Sequence, residues 1–373
     1  MSTNALLKGS SCFALAAARR RVAGLPLAAL LVCCAHPGSP VAQAADLLST
    51  DASSASRGPR ASVVIVRDPA ATDAFKPRRE RVRLMVDRAI TNLTHKLTVP
   101  EAWRSLVSTQ DVVGIKVFSA PGPNSGTRPA VVAAVIERLL AAGLPPKQII
   151  VWDRQIADLR LSGFAELTDR YGVRVAGSAQ SGWDEKTFYE PDSPILGNLV
   201  WGDLEFGKTG EGVGRKSFVS KLISREITKH ISVTPLLNHN EAGVSGNLYS
   251  LAMGSVDNVT RFEASPLAMA NAIPEIYALP VLCDRIVLNI TDALICQYEG
   301  GERGFLHYSA TLNELRFSRD PVALDVLSIQ ELDRQRRLAK APKVRPNLKL
   351  YTNAALLQLG VDDIKRIQVE NLR

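Results

Sequence analysis

Between Asp111 and Ala176 short apolar runs alternate with stretches of helical period, and this alternation narrows the fold more than any other feature. Asp111–Phe118 (DVVGIKVF) is apolar after its first residue, with Lys116 the one interruption. A parallel strand covered on both faces reads this way. Thr127-Arg128-Pro129 then opens a helix with proline near its first position; Val131, Val135 and Leu139 share its buried face, and Gly143 ends it. Gln148–Trp152 is the next strand and delivers Asp153-Arg154. A helix over Ile156–Tyr171 and a strand over Val173–Ala176 complete the series. Strands and helices at this spacing imply right-handed crossovers. The expected fold is therefore α/β: a mainly parallel or mixed open sheet, Rossmann-like, with helices on both faces.

Outside that block, Ser62–Val66, Ile231–Leu237, Arg285–Ile290 and Ile367–Val369 read as strands. Pro77–Leu93, a segment from Val99, Phe218–Lys229, Pro266–Leu279, Asp320 to about Arg337, and Ala354–Leu359 read as helices. Gly177–Lys216 breaks the rhythm and reads as a surface excursion or small β insertion. Its glycines match neither a Walker loop, since Val213 follows Gly212, nor a dinucleotide fingerprint, since Gly214 stands one place early.

The first 44 residues resemble an export signal: Arg19-Arg20-Arg21, an apolar Val22–Val32, and Ala42-Gln43-Ala44 as a cleavage site. The apolar run is too short for a stable membrane span. The arginines leave twin-arginine export open beside the general route, and Cys33 leaves lipidation open. Residues 45–60 read as a flexible mature amino terminus, and 61–373 as one α/β domain, with lobes at 61–225 and 226–373 left open. The segment carries Lys8, Arg19, Arg20 and Arg21 and no acid, so the formal charge of +8 falls to +4 without it. No basic run interleaved with aromatics points to nucleic acid. Only Cys283 and Cys296 remain, too few for a four-cysteine iron–sulfur or zinc centre.

The stretch Ser232–Asn258 carries the densest chemistry. A β-branched run breaks into Asn238-His239-Asn240-Glu241, then into Gly243–Asn247. Strands that deliver polar clusters into glycine-bearing turns build the sites of open α/β sheets. His239 is a candidate general base or metal ligand. Lys116, a cation inside an apolar strand, must find an acid or a pocket, and Asp153 at the end of the next strand is its candidate partner. Asp292 and Glu299 flank a turn after a core strand and, with His239, offer ligands for one divalent metal. Asp320-Pro321 is a helix cap whose amino terminus could face an anion. Ser245 lies in no nucleophile elbow, and serine-hydrolase signatures fail throughout.

Val112–Phe118, Thr127–Arg154, Gly163-Phe164, Asn238–Asn258 with Arg261-Phe262, Asp292–Gly301 (DALICQYEGG) and Ser318–Asp325 (SRDPVALD) together resemble the bacterial family called domain of unknown function 362. The resemblance spans about Ser62 to Val369. It implies an α/β fold, frequent export, and a site map without an agreed activity. Some relatives add iron–sulfur modules; this chain lacks those cysteines. Where the family pattern carries a lysine before the central pair and another in the following helix, this chain reads Leu237-Asn238-His239 and Asn247-Leu248-Tyr249-Ser250. An anion site resting on those lysines would be reduced here.

These readings set the expectations. Lys116, Asp153 and His239 are the catalytic candidates. Asn238, Asn240, Ser245, Arg261 and Asp320 are ligand contacts. His239, Asp292 and Glu299 are metal ligands, and Lys116, Asp153, His239 and Asp292 share one cleft at the carboxyl edge of the sheet. The partner is a small molecule. Two functions stay open: an exported enzyme on a small anionic or polar substrate, with or without a metal, and a non-catalytic periplasmic binding or accessory protein.

Overall fold

The computed structural model describes residues 60–194, 200–301, 303–343 and 345–373. The expected export signal at 1–44, and all but the last residue of the expected flexible stretch 45–60, lie outside the described residues.

From Ala61 onward the chain runs β1 (Ala61–Arg67), a small hairpin of β2 (Thr72–Asp73) and β3 (Lys76–Pro77), then α1 (Arg79–Thr94) and α2 (Val99–Arg104). Next come β4 (Val113–Val117), α3 (Pro129–Ala141), β5 (Ile149–Asp153), α4 (Ile156–Leu161), α5 (Glu166–Tyr171) and β6 (Arg174–Gly177). The excursion holds β7 (Trp183–Tyr189), α6 (Trp201–Glu205) and β8 (Ser217–Ser220). Then follow β9 (Lys229–His239), β10 (Gly243–Val244), α7 (Asn247–Ser255), α8 (Thr260–Glu263), α9 (Pro266–Tyr277) and α10 (Pro280–Cys283). β11 (Ile286–Gln297), β12 (Ser309–Ser318), α11 (Pro321–Leu338), α12 (Lys349–Leu356) and β13 (Ile367–Leu372) complete the series.

The main sheet has the order β13–β1–β12–β11–β9–β4–β5–β6, with β10 paired onto β9. β11, β9, β4, β5 and β6 run parallel. β12 is antiparallel to β11 and β1, and β13 is parallel to β1. The four expected core strands are thus four adjacent strands of one sheet. Strands from either side of residue 225 interleave in it.

Period-two alternation sorts the core into two layers. Ile115, Val117, Val151, Ile231, Val233 and Ile290 pack with buried side chains of α1 and α3 on one face. Ile150, Trp152, Leu236 and Ala293 pack with α7, α9 and α11 on the other. α3 begins at Pro129, as the proline signal implies, and α11 begins at Pro321 under an Asp320 cap whose side chain accepts from Ala323 N–H.

Several expectations need correction. The single helix over 156–171 is two helices, because Gly163 takes φ +83° and Phe164 turns into the core. Phe218–Lys229 is not a helix. Phe218 and Val219 pair with β7 in an antiparallel hairpin, and only Leu222–Glu226 coils, as one π turn. The last helix lies at Lys349–Leu356, ahead of the expected 354–359. β12 was not anticipated, and α7 was implied only by the family resemblance, which puts a helix at Asn247–Ser250.

Candidate functional site

The sheet dictates where a crevice forms. After β4 the chain crosses through α3 to β5. After β9 it goes the opposite way, through α7–α10, to β11. α3 packs on one face and α7 on the other. The ends of β4 and β9 are therefore a topological switch point, where diverging connections leave a crevice outside the carboxyl ends. Thr127 pins its floor, accepting from Phe118 N–H at 2.9 Å and donating to Val233 O at 2.7 Å.

His239, the last residue of β9, sits at this edge. Its ring lies 4.5 Å from Tyr249 on α7, and Tyr249 meets Phe118, just past β4, edge-on at 6.1 Å. The three rings bridge the two strand ends. Nδ1 of His239 accepts from the backbone N–H of Glu241 (3.2 Å) and of Ala242 (3.1 Å). Two donors on Nδ1 assign the ring proton to Nε2. Burial holds the imidazole pKa down at about 4, so the ring is neutral at neutral pH. In that state Nε2 donates and cannot accept. The general-base role expected for His239 does not fit this tautomer; a fixed donor does. The Tyr249 hydroxyl lies 3.2 Å from Glu263 Oε1.

Lys116 and Asp153 do meet, as expected, at 2.9 Å. Lys116 is fully buried and also donates to Ser250 Oγ at 2.7 Å and to the Val117 carbonyl. Asp153 accepts from Lys116 and Arg154 N–H on Oδ1, and from Ser119 N–H and Ser119 Oγ on Oδ2. Desolvation drags the ammonium pKa down, and Asp153 pulls it back up. Every polar atom of the pair is engaged, so the geometry makes it a clamp between the ends of β4, β5 and α7.

Asp292 is not with them. By register it points to the α3 face, where it accepts from Arg128 N–H at 3.0 Å and lies 3.1 Å from Arg128 Nη1. Lys116 points to the α7 face. The shared cleft of Lys116, Asp153, His239 and Asp292 is therefore divided by the sheet itself. Glu299 lies 3.5 Å from Arg336. Asp292, Glu299 and His239 thus hold separate partners, and among the described residues no three His, Cys, Asp or Glu side chains form a metal-ligand group. As one metal set, these three do not fit.

Of the expected ligand contacts, Asn238 is buried and ties two loops, donating to Asn240 Oδ1 and accepting from Gly301 N–H. Asn240 is exposed at the rim. Ser245 is buried where its N–H meets Leu237 O. Arg261 is a structural clamp, donating to the carbonyls of Gly214 and Arg215 and to Ser217 Oγ. Asp257 and Asn258 hold the same excursion through Gly202 N–H, Phe218 N–H and Gly214 O. The glycine run is thus fastened at Gly214 by Asn258 and Arg261, with Asp257 holding the segments on either side of it. Asp320 serves Ala323 N–H and Val361 N–H, so no anion is needed to explain it.

Sequence reasoning missed Tyr249, Asp325 and Gln297. Gln297 gathers the loop after β11, accepting from Ser125 Oγ and Phe305 N–H and setting its two amide N–H donors among the carbonyls of Glu299, Gly301 and Arg303. Asp325 interrupts the apolar run Val322–Leu324 of α11; a charge on a buried helical face was the available signal.

No family model matches the chain, and no curated protein matches it. Three solved chains match. One is the crystal structure of a Thermotoga maritima protein from the Northeast Structural Genomics Consortium, at 10% identity and a TM-score of 0.39. The match covers 72% of this chain and 61% of that one, so the chain spans about three fifths of that protein's length. At this level of likeness it says nothing of what the chain does.

Proposed function

We propose that this chain is an exported protein of the domain of unknown function 362 family that binds a small polar or anionic molecule at the crevice between β4 and β9. The order of its motif segments supports the family reading. The binding reading rests on one observation above others: His239 Nδ1 accepts two backbone N–H groups, which presents Nε2–H as a preset donor toward an acceptor oxygen. Lys116 and Asp153, saturated by each other and by Ser119 and Ser250, hold the crevice walls in place without touching ligand. Fixed donors cost little reorganisation on binding.

A second reading is favoured by the Tyr249–Glu263 contact at 3.2 Å beside His239. A phenol hydrogen-bonded to a carboxylate can relay a proton, which would make the crevice an active site.

A thermal-shift screen of small carboxylates, polyols and phosphates, run in parallel on wild type and His239→Ala, tests the proposal. The expected result is a compound that raises the Tm of wild type alone and is recovered unchanged. Recovery of a converted product, abolished by Tyr249→Phe, would instead select the enzyme. Equal shifts in both proteins for every compound would remove the site.

A further inference from the structure

The α7-facing side of the sheet carries polar side chains that neither hypothesis uses. Parallel register places Ser232 beside Asn289 and Thr234 beside Thr291. Their neighbours Ile231, Val233 and Ile290 face the α1–α3 layer, so these four face α7 and α11. All four are buried, at 2% exposure or less. Yet Ser232 Oγ, Thr234 Oγ1, Asn289 Oδ1 and Thr291 Oγ1 have no hydrogen-bond partner. They form a two-by-two patch in the middle of the sheet.

A fifth such atom comes from above. Ser250 on α7 bonds Lys116, whose register partner on β9 is Ser232. Asn247 lies three residues earlier on the same helix, hence on the same face and one turn nearer the helix start. It is fully buried; its Nδ2 donates to Asp325 Oδ1 and its Oδ1 has no partner. Turning the amide over would only exchange the unpartnered oxygen for an unpartnered NH2, so one end of this side chain lacks a partner in either orientation.

Left dry, five such atoms would together cost an amount comparable with the net stability of a domain. A row of polar side chains in a buried seam instead marks ordered internal water, which typically joins about three otherwise unsatisfied groups. Two amide oxygens that only accept call for a donor, and three hydroxyls both give and take. Water matches that set. An anion would face the two amide oxygens, and the cations opposite Ser232 and Thr291 in the sheet, Lys116 and Arg316, are already paired with Asp153 and with Glu314.

We infer that the seam between the β9–β11 floor and the start of α7 is an internal hydration site, a small cluster of bound water held by Ser232, Thr234, Asn289, Thr291 and Asn247. It does not rest on the crevice reading. The full chain carrying Thr234→Val or Thr291→Val tests it, with Thr234→Ser as the control that keeps the hydroxyl. The expected result is a Tm several degrees lower for each valine variant and near wild type for the serine. In wild type, water-to-amide cross-relaxation should appear at residues 232–234 and 289–291. A raised Tm in both valine variants would mean a dry patch and overturn the inference. So would missing cross-relaxation at these amides, or a Tm set by sodium or potassium at constant ionic strength, which would place an ion there.

Discussion

Lys116 shows how a single charge inside an apolar strand constrains everything near it. With no exposure, the ammonium is tolerable only because Asp153, Ser250 and Val117 O surround it. Lys116→Met keeps the bulk and strands the carboxylate, so it should cost about 3–5 kcal/mol in urea unfolding, and adding Asp153→Asn should recover part of that. A single variant within about 1 kcal/mol of wild type would mean that Asp153 does not need its cation. This pairing was legible in the sequence, because a buried charge must have a partner and Asp153 was the nearest strand-end acid. The role of His239 was not. Its tautomer is set by the N–H groups of Glu241 and Ala242, which meet Nδ1 only once the turn after β9 has formed. Nitrogen-15 NMR should find Nε2 protonated and Nδ1 bare from pH 5 to 8. A ring titrating near pH 6.5 would contradict a fixed donor.

At the scale of elements, α7 decides how the crevice is built. All nine of its residues are buried. Asp325 accepts from the N–H groups of Asn247 and Leu248 at its start. Arg154 donates to the carbonyls of Met253 and Val256 at its end, and Ser178 Oγ to that of Gly254. The Arg154 cation at the carboxyl end also suits the helix dipole. Gly254 allows the approach to β4, for a Cβ there would stand 2.4 Å from Lys116 Cε. That side chain is tied at three points and cannot yield. Gly254→Ala should therefore cost about 1–3 kcal/mol by overpacking, despite alanine's better helix propensity. A neutral or stabilised variant would show that α7 has slack. The same burial hid α7 from periodicity, leaving the family resemblance to place a helix at Asn247–Ser250: a helix without a polar face has no 3.6-residue alternation to read. α1, α3 and the strands at 113–117, 149–153, 229–239 and 286–297 were legible, because amphipathic period or an unbroken apolar run marks them. β12 was not, since only Leu312 and the run Leu315–Ser318 are buried in its ten residues. Its place between β1 and β11 comes from long-range pairing.

Across the whole molecule, buried titratable groups pull stability in opposite directions with pH. Burial pushes Asp325 up to about 7 and Asp257 up to about 6. It pushes the fully buried His230 down to about 3, with Arg285 adding to the effect, and His239 down to about 4. A carboxyl raised in the folded state binds its proton more tightly there than in the unfolded chain, so its contribution falls as pH rises from about 4 toward 7. A histidine lowered in the folded state behaves oppositely, and its contribution is lost as pH falls below about 6.5. Between roughly pH 4.5 and 6 the two carboxyls and the two imidazoles nearly cancel in proton uptake, and these four groups leave stability almost level. Asp325→Asn removes one proton bound only by the folded state. Whatever the substitution costs the α7 cap is independent of pH and shifts the curve without tilting it. The variant's stability, relative to wild type, should therefore climb by about 1.4 kcal/mol per pH unit across that window. His230→Leu removes a proton bound only by the unfolded chain and should tilt the curve by a similar amount the other way. Urea unfolding of the three proteins at half-unit steps from pH 4.5 to 6.5 reads both slopes. Parallel curves for wild type and Asp325→Asn would mean that Asp325 stays ionised in the fold, with the start of α7 stabilising its charge more than burial penalises it.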